Sequence, residues 1–170
     1  KGGSEVCSDD RVLQPFSCMS HATHPLIYTP GDNEWTDCWQ DRGGRYDPLE
    51  RLALLRARFF PDANSLGRRP MPLTRQADTD PAQRLYVENA RWVQAGVVVL
   101  ALQSDLFFVG RCGRGQDSGF RDFRTALIRA AAAFGRPVLL IHGDSHFWLH
   151  DRPAAAEAPN LTRIMVPGDR

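Results

Sequence analysis

Arg136-Pro137-Val138-Leu139-Leu140-Ile141-His142-Gly143-Asp144-Ser145-His146 places an unbroken apolar run directly before a polar cluster. A run of that length, stopped upstream by Gly135 and Pro137, reads as a buried strand. Before it, Phe120, Phe123, Leu127, Ala131 and Phe134 recur three or four apart, which predicts a helix with one apolar face. A helix feeding a buried strand is the repeating unit of an α/β domain. Polar groups just past the carboxyl end of such a strand stand where these sheets hold ligands.

The same signals recur upstream. Gly96 opens a second apolar run, Val97 to Leu102, with the composition of a strand covered on both faces, and Gln103-Ser104-Asp105 follows it. Leu26-Ile27-Tyr28-Thr29, between Pro25 and Pro30, predicts a third buried strand, with Gly31-Asp32-Asn33-Glu34 past its end. Asp47-Pro48-Leu49-Glu50 carries a helix cap, a first-turn proline and an acceptor three residues after the cap. Leu49, Leu52, Leu55 and Phe59 should then form one buried face, ended by Pro61. Asp80-Pro81-Ala82-Gln83 repeats that start and predicts a helix carrying Leu85, Asn89 and Trp92. A short helix is expected around Arg11 to Met19 and an extended loop from Asn64 to Asp78. Phe147 to His150 and Leu161 to Val166 supply antiparallel strands.

With 170 residues, 42% of them hydrophobic, the chain is the size of one domain with a real core. Its net charge is only +1 and the arginines are dispersed among Asp and Glu, which argues against nucleic-acid binding. No apolar stretch is long enough for a membrane span and no signal peptide is visible, so the expectation is a soluble, cytoplasmic protein. Cys7, Cys18, Cys38 and Cys112 form no C-x-x-C pair, which disfavours a thiolate zinc site and leaves disulfides open. Trp35 and Trp39 flank Cys38 and should shield the base of the Asp32 loop. His21 and His24 read as surface residues, and His150 with Asp151 as a candidate rim. Nothing in the sequence sets the oligomeric state.

Alternate side chains of an extended segment share a face, so His142, Asp144 and His146 should point the same way. Imidazole and carboxylate together suit Zn, Mn or Fe better than Ca. Asp32 and Glu34 repeat that spacing. A carboxylate such as Asp32 is able to bridge two cations, and a neutral neighbour such as Asn33 is able to donate to a phosphoryl oxygen. Each cluster also has an ordinary reading as turn or cap residues. An α/β-hydrolase is a poor fit, because Gly143-Asp144-Ser145-His146 lacks the G-x-S-x-G nucleophile turn.

Tyr28-Thr29-Pro30-Gly31-Asp32-Asn33-Glu34-Trp35-Thr36-Asp37-Cys38 resembles the third signature of a bacterial branch of the calcineurin-like metallophosphoesterases, where the wider family has Gly-Asn-His-Glu or Gly-Asn-His-Asp. Leu139 to His146 resembles the family's last signature, Gly-His-x-His, and Val97 to Asp105 is similar to the strand before it. The resemblance implies an α/β fold, an incomplete calcineurin-like phosphoesterase sandwich layered α/β/β/α, with mixed sheets flanked by helices in a single partial domain over residues 1–170. It implies metal ligation by Asp32, Gln103, Asp144 and His146, standing where the family has Asn, His, His and His. Asn33 falls at the position of the catalytic histidine, and His142 is cast as a catalytic support that orients a ligand or the substrate. The implied cofactors are divalent Mn, Fe or Zn ions, two in a complete domain. The implied partner is a phosphorylated small molecule or other phosphoester, which is hydrolysed.

The family's Asp-x-His and Gly-Asp signatures have no match before Pro25, and the link from Trp92 to Val97 is short for the family. On this resemblance the chain is the later part of such a domain, with weak or absent activity of its own. A noncatalytic interaction module and a mononuclear metal hydrolase are the rival readings.

Overall fold

A computed structural model describes residues 4–101, 121–142 and 147–167. The chain is mixed α/β with two small sheets, and it divides into two compact units, Lys1–Gln103 and Ser104–Arg170.

In the first unit the expected capping chemistry works as written. The Asp47 carboxylate accepts from the backbone N–H groups of Leu49 and Glu50, Pro48 occupies the first turn, and helix α2 runs Pro48–Phe59. Leu52, Leu55 and Phe59 are buried on it, but Leu49 is 71% exposed. The inward place in the first turn belongs to Arg51, only 4% exposed, which donates to the Cys7 carbonyl and to Asp9 and lies over the Tyr46 ring. Helix α1, Asp9–Ser20, contains the predicted helix and buries Val12. The core joins Cys7, Val12, Cys38, Leu55 and Phe59, with Phe16, Tyr28 and Trp35 packed around them.

Two expectations for this unit fail. Leu26–Thr29 is not a strand. Leu26 makes a single antiparallel bridge with Leu66, and no ladder continues from it through Ile27, Tyr28 and Thr29. The helix expected from Pro81 lasts one 3-10 turn, Pro81–Gln83, although Asp80 does cap it by accepting from the Ala82 N–H. Beyond it the chain continues in turns, Glu88 takes Arg56, the Asn89 amide donates to Gln76, and Trp92 lies in a strand. Leu85 is correspondingly 65% exposed. Within the expected loop from Asn64 to Asp78, β1 (Thr74–Arg75) and the short helix α3 (Gln76–Thr79) form.

Strand β2, Ala90–Gln94, pairs antiparallel with β1 and with β3, Val97–Ala101. Ala95 and Gly96 connect β2 to β3 with φ of 49° and 79°. Two successive residues at positive φ make the tight hairpin turn whose twist matches the strands. Over Val97–Ala101 the second apolar run is therefore a strand, which stands last in the order β1-β2-β3 among the described residues, with Val97, Val98 and Leu100 each at least half exposed.

The second unit carries α4, Arg121–Phe134, and the strands β4 (Val138–His142), β5 (Leu149–Asp151) and β6 (Leu161–Met165) in the order β4-β6-β5. Strand β6 runs parallel to β4 and antiparallel to β5, and every other β6 residue is buried: Leu161, Arg163 and Met165. Leu161 joins Ala131 and Ala158 in the core of this unit, with Ile128, Val138 and Leu140 against them. The Asn160 amide donates to the Ala131 and Arg136 carbonyls, both at 2.7 Å, and so fixes the end of α4 beside β6. Leu139 and Ile141 are 54% and 60% exposed, so β4 is covered on one face only, against the expectation of a fully buried strand. Among the described residues no helix is long and apolar enough to cross a membrane.

Candidate functional site

The Asp32 cluster sits on a chain of 3-10 turns, Asp32–Glu34, Thr36–Trp39 and Asp41–Gly43, each closed by its own short backbone bonds. Because the segment is turned and not extended, Asp32 and Glu34 do not share a strand face. Glu34 folds back and accepts the Gly31 N–H at 2.9 Å, which makes it a structural brace for the turn. The Asp32 Oδ1 accepts the Asn33 N–H at 2.8 Å, and its carbonyl accepts the Thr36 hydroxyl at 3.0 Å. Among the described residues nothing bonds the Asp32 Oδ2 or the Asn33 side-chain amide. One carboxylate oxygen and one neutral amide are thus presented together, half-buried, a pairing that fits a divalent cation beside a phosphoryl oxygen.

The base of this loop is covalently closed. Cys7 and Cys38 form a disulfide with Cα atoms 5.7 Å apart, and neither cysteine exposes any surface. Both sulfurs lie 3.8 Å from the Asn33 carbonyl oxygen. The Cys7 N–H donates to the Gly43 carbonyl at 2.8 Å and the Tyr46 N–H to the Cys38 carbonyl at 2.9 Å. Gly43 has to be glycine here, since a Cβ would come within 2.8 Å of the Asp37 carbonyl oxygen and 2.9 Å of the Cys38 Cα. Trp35 packs on the core as expected, whereas Trp39 is 65% exposed. Cys38 is no nucleophile, because its sulfur is bonded.

Tyr28 leads into the loop with its ring 4.5 Å from that of Phe59. Burial, and then the Glu34 carboxylate, push its phenol well above the usual range. A phenol whose folded-state pKa exceeds its unfolded value lends stability that is complete below the unfolded pKa and is lost as pH rises through the folded one. Above a pH of about 10, stability should therefore fall by up to about 1.4 kcal/mol per pH unit from this group. Tyr28→Phe keeps the ring and should flatten that alkaline limb in thermal unfolding followed from pH 8 to pH 11. An unchanged limb would assign the loss to other groups.

In the second unit His142 ends β4, 8% exposed, on the face that β4 shares with Arg163 and Met165 of β6. Arg163 grips Asp151 of β5 through both carboxylate oxygens, and Asp151 pairs opposite Arg163 in register. That guanidinium holds the Asp151 carboxyl below the usual range, with smaller contributions from His142 and His150. His150 is exposed, as are His21 and His24.

Of the expected site residues, Asp32 and Asn33 stand together in the first unit and His142 stands at a strand end in the second. Gln103, Asp144 and His146 lie outside the described residues. Among the described residues no three His, Cys, Asp or Glu side chains gather as a metal-binding group. Sequence reasoning left the Cys7–Cys38 bond open and missed the buried Arg163 and its Asp151 partner. No family model matches the chain, and neither does any characterised protein or solved structure.

Proposed function

We propose that this chain carries the later part of a calcineurin-like phosphoesterase site, within an incomplete form of that family's layered sandwich, and that its chemistry is the metal-dependent hydrolysis of a phosphoester, weak or absent in this chain by itself. The observation that supports the reading is the Asp32–Asn33 pair, whose free Oδ2 and free amide are held on a covalently closed turn. Bound divalent Mn, Fe or Zn would supply an activated water and neutralise phosphoryl charge. Asp32, with Gln103, Asp144 and His146, would hold the metal. The Asn33 amide donates to a phosphoryl oxygen, a role that needs no proton transfer. His142 orients a ligand or the substrate from the end of β4, its ring held beside the Asp151–Arg163 pair.

The test is equilibrium Mn2+ titration of the intact chain, with hydrolysis of an aryl phosphate measured in parallel. Asp32→Ala and His146→Ala should each weaken Mn2+ binding by at least about tenfold, the effect usual for loss of a ligand or its support. If both variants leave metal content and hydrolysis as they were, the noncatalytic reading replaces this one.

A further inference from the structure

We propose that closure of the Cys7–Cys38 bond is what orders the Asp32–Asn33 loop, so that the candidate site is assembled only in the oxidised chain. The consequence for function rests on the reading of Asp32 and Asn33 given above; the structural claim does not.

The bond joins residues 31 apart in sequence and encloses both α1 and the Asp32 loop. From Gly31 to Tyr46 the chain has no strand and no α-helix, only consecutive 3-10 turns, whose poor hydrogen-bond geometry holds weakly alone. Two ties to the rest of the unit pass through Cys7: the covalent link to Cys38 and the backbone bond to Gly43. Cys7 in turn is fixed, because Arg51 on α2 binds its carbonyl at 2.8 Å. The chain of restraint therefore runs from α2 through Arg51 and Cys7 to Cys38, and from the paired sulfurs to the Asn33 carbonyl they touch.

Reduction passes two electrons and two protons from a dithiol to the sulfur–sulfur bond. That bond breaks, two thiols form and the dithiol becomes a disulfide. Two unbonded thiols need more room than a disulfide. Cys7 and Cys38 are both fully buried, so that room has to come from movement of the chain around them. The loop is the part able to yield, since α2 is packed through Leu55 and Phe59. A fully buried disulfide also belongs to oxidising surroundings, which sets this bond against the cytoplasmic location expected from the sequence.

The experiment is amide hydrogen exchange on the full chain, oxidised, reduced with dithiothreitol, and as the Cys7→Ser/Cys38→Ser double variant, alongside alkylation of the denatured, unreduced protein. Alkylation should label Cys18 and Cys112 and spare Cys7 and Cys38. Exchange across residues 31–46 should quicken at least about tenfold on reduction and in the variant, more than in α2, with β6 unchanged as the internal reference. Labelling of all four cysteines without reductant overturns the proposal, as does unaltered protection of the loop. Equal loss of protection through α1 and α2 also overturns it, because the bond would then hold the whole unit and not the loop. Mn2+ affinity measured in both states should fall on reduction, and equal affinity counts against redox-dependent assembly. No Mn2+ binding by the oxidised chain sinks the metal reading of Asp32 while exchange still decides the role of the bond.

Discussion

Phe59→Ala should cost about 4 kcal/mol of unfolding free energy, within the range for removal of a buried aromatic ring. Phe59 is 2% exposed and closes α2 onto two other rings, edge-on to Phe16 at 5.3 Å and tilted against Tyr28 at 4.5 Å. Truncation removes the apolar burial of the ring and leaves a cavity that α1 and the Tyr28 segment fill only in part. It also takes away the surface on which Tyr28 rests, four residues before Asp32, so a local loosening of the site loop should accompany the global loss. Phe59→Leu retains most of the volume and should cost less than about 1.5 kcal/mol. Urea unfolding of the three proteins reads the difference. A loss below about 1 kcal/mol for the alanine variant would mean that the three rings are not the keystone of this core.

Much of the helical part of the fold was legible because its signals are local. Asp47 caps α2 and Asp80 caps its turn with the side chains that the sequence offers, since a cap needs only the next two or three residues. The apolar spacing before Gly135 gave α4, and the run after Pro137 gave β4. What failed depended on partners distant in sequence. Glu88 and Asn89 are bound by Arg56 and Gln76, and no pattern around Pro81 announces those partners. An apolar run likewise reports only what a strand would prefer to bury. Val97–Ala101 and Val138–His142 form strands, but how many faces are covered depends on what packs beside them.

The site was legible as chemistry and less so as geometry. The Asp32–Asn33 pair does present a carboxylate oxygen and an amide, yet the assumption of an extended segment misplaced Glu34, which is spent on the Gly31 N–H. A glycine followed three residues later by a carboxylate is an acceptable turn-and-brace pattern, so that signal was present and was read as a metal-ligand spacing. The disulfide had only weak signals, an even cysteine count and two tryptophans around Cys38. Cys7 and Cys38 meet because Arg51 and Gly43 fix the chain on either side, and neither contact has a local signature. Arg163 on β6 is a similar case. Alternation marks it as inward-facing, and the register sets Asp151 opposite to receive its charge.

Arg56→Ala should cost about 3 kcal/mol, because it strips a buried carboxylate of its bidentate cation. The Glu88 side chain is 2% exposed, and Arg56 meets it with Nε at 2.9 Å from one oxygen and a terminal nitrogen at 2.6 Å from the other. The pair ties α2 to the chain just before β2, so it holds helix and sheet of the first unit together across 32 residues of sequence. A paired buried charge is not thereby a stabilising one, since both groups were taken out of water to make it. The informative comparison is therefore Arg56→Met with Glu88→Leu. Each single change leaves one charged group facing an apolar neighbour and should cost about 3 kcal/mol, while the double variant leaves neither and should recover at least about 1.5 kcal/mol of the summed loss. Strict additivity in denaturant unfolding would show that Arg56 and Glu88 act independently, each held by its other neighbours. A large coupling would identify this ion pair as the tie that holds the chain before β2 against α2.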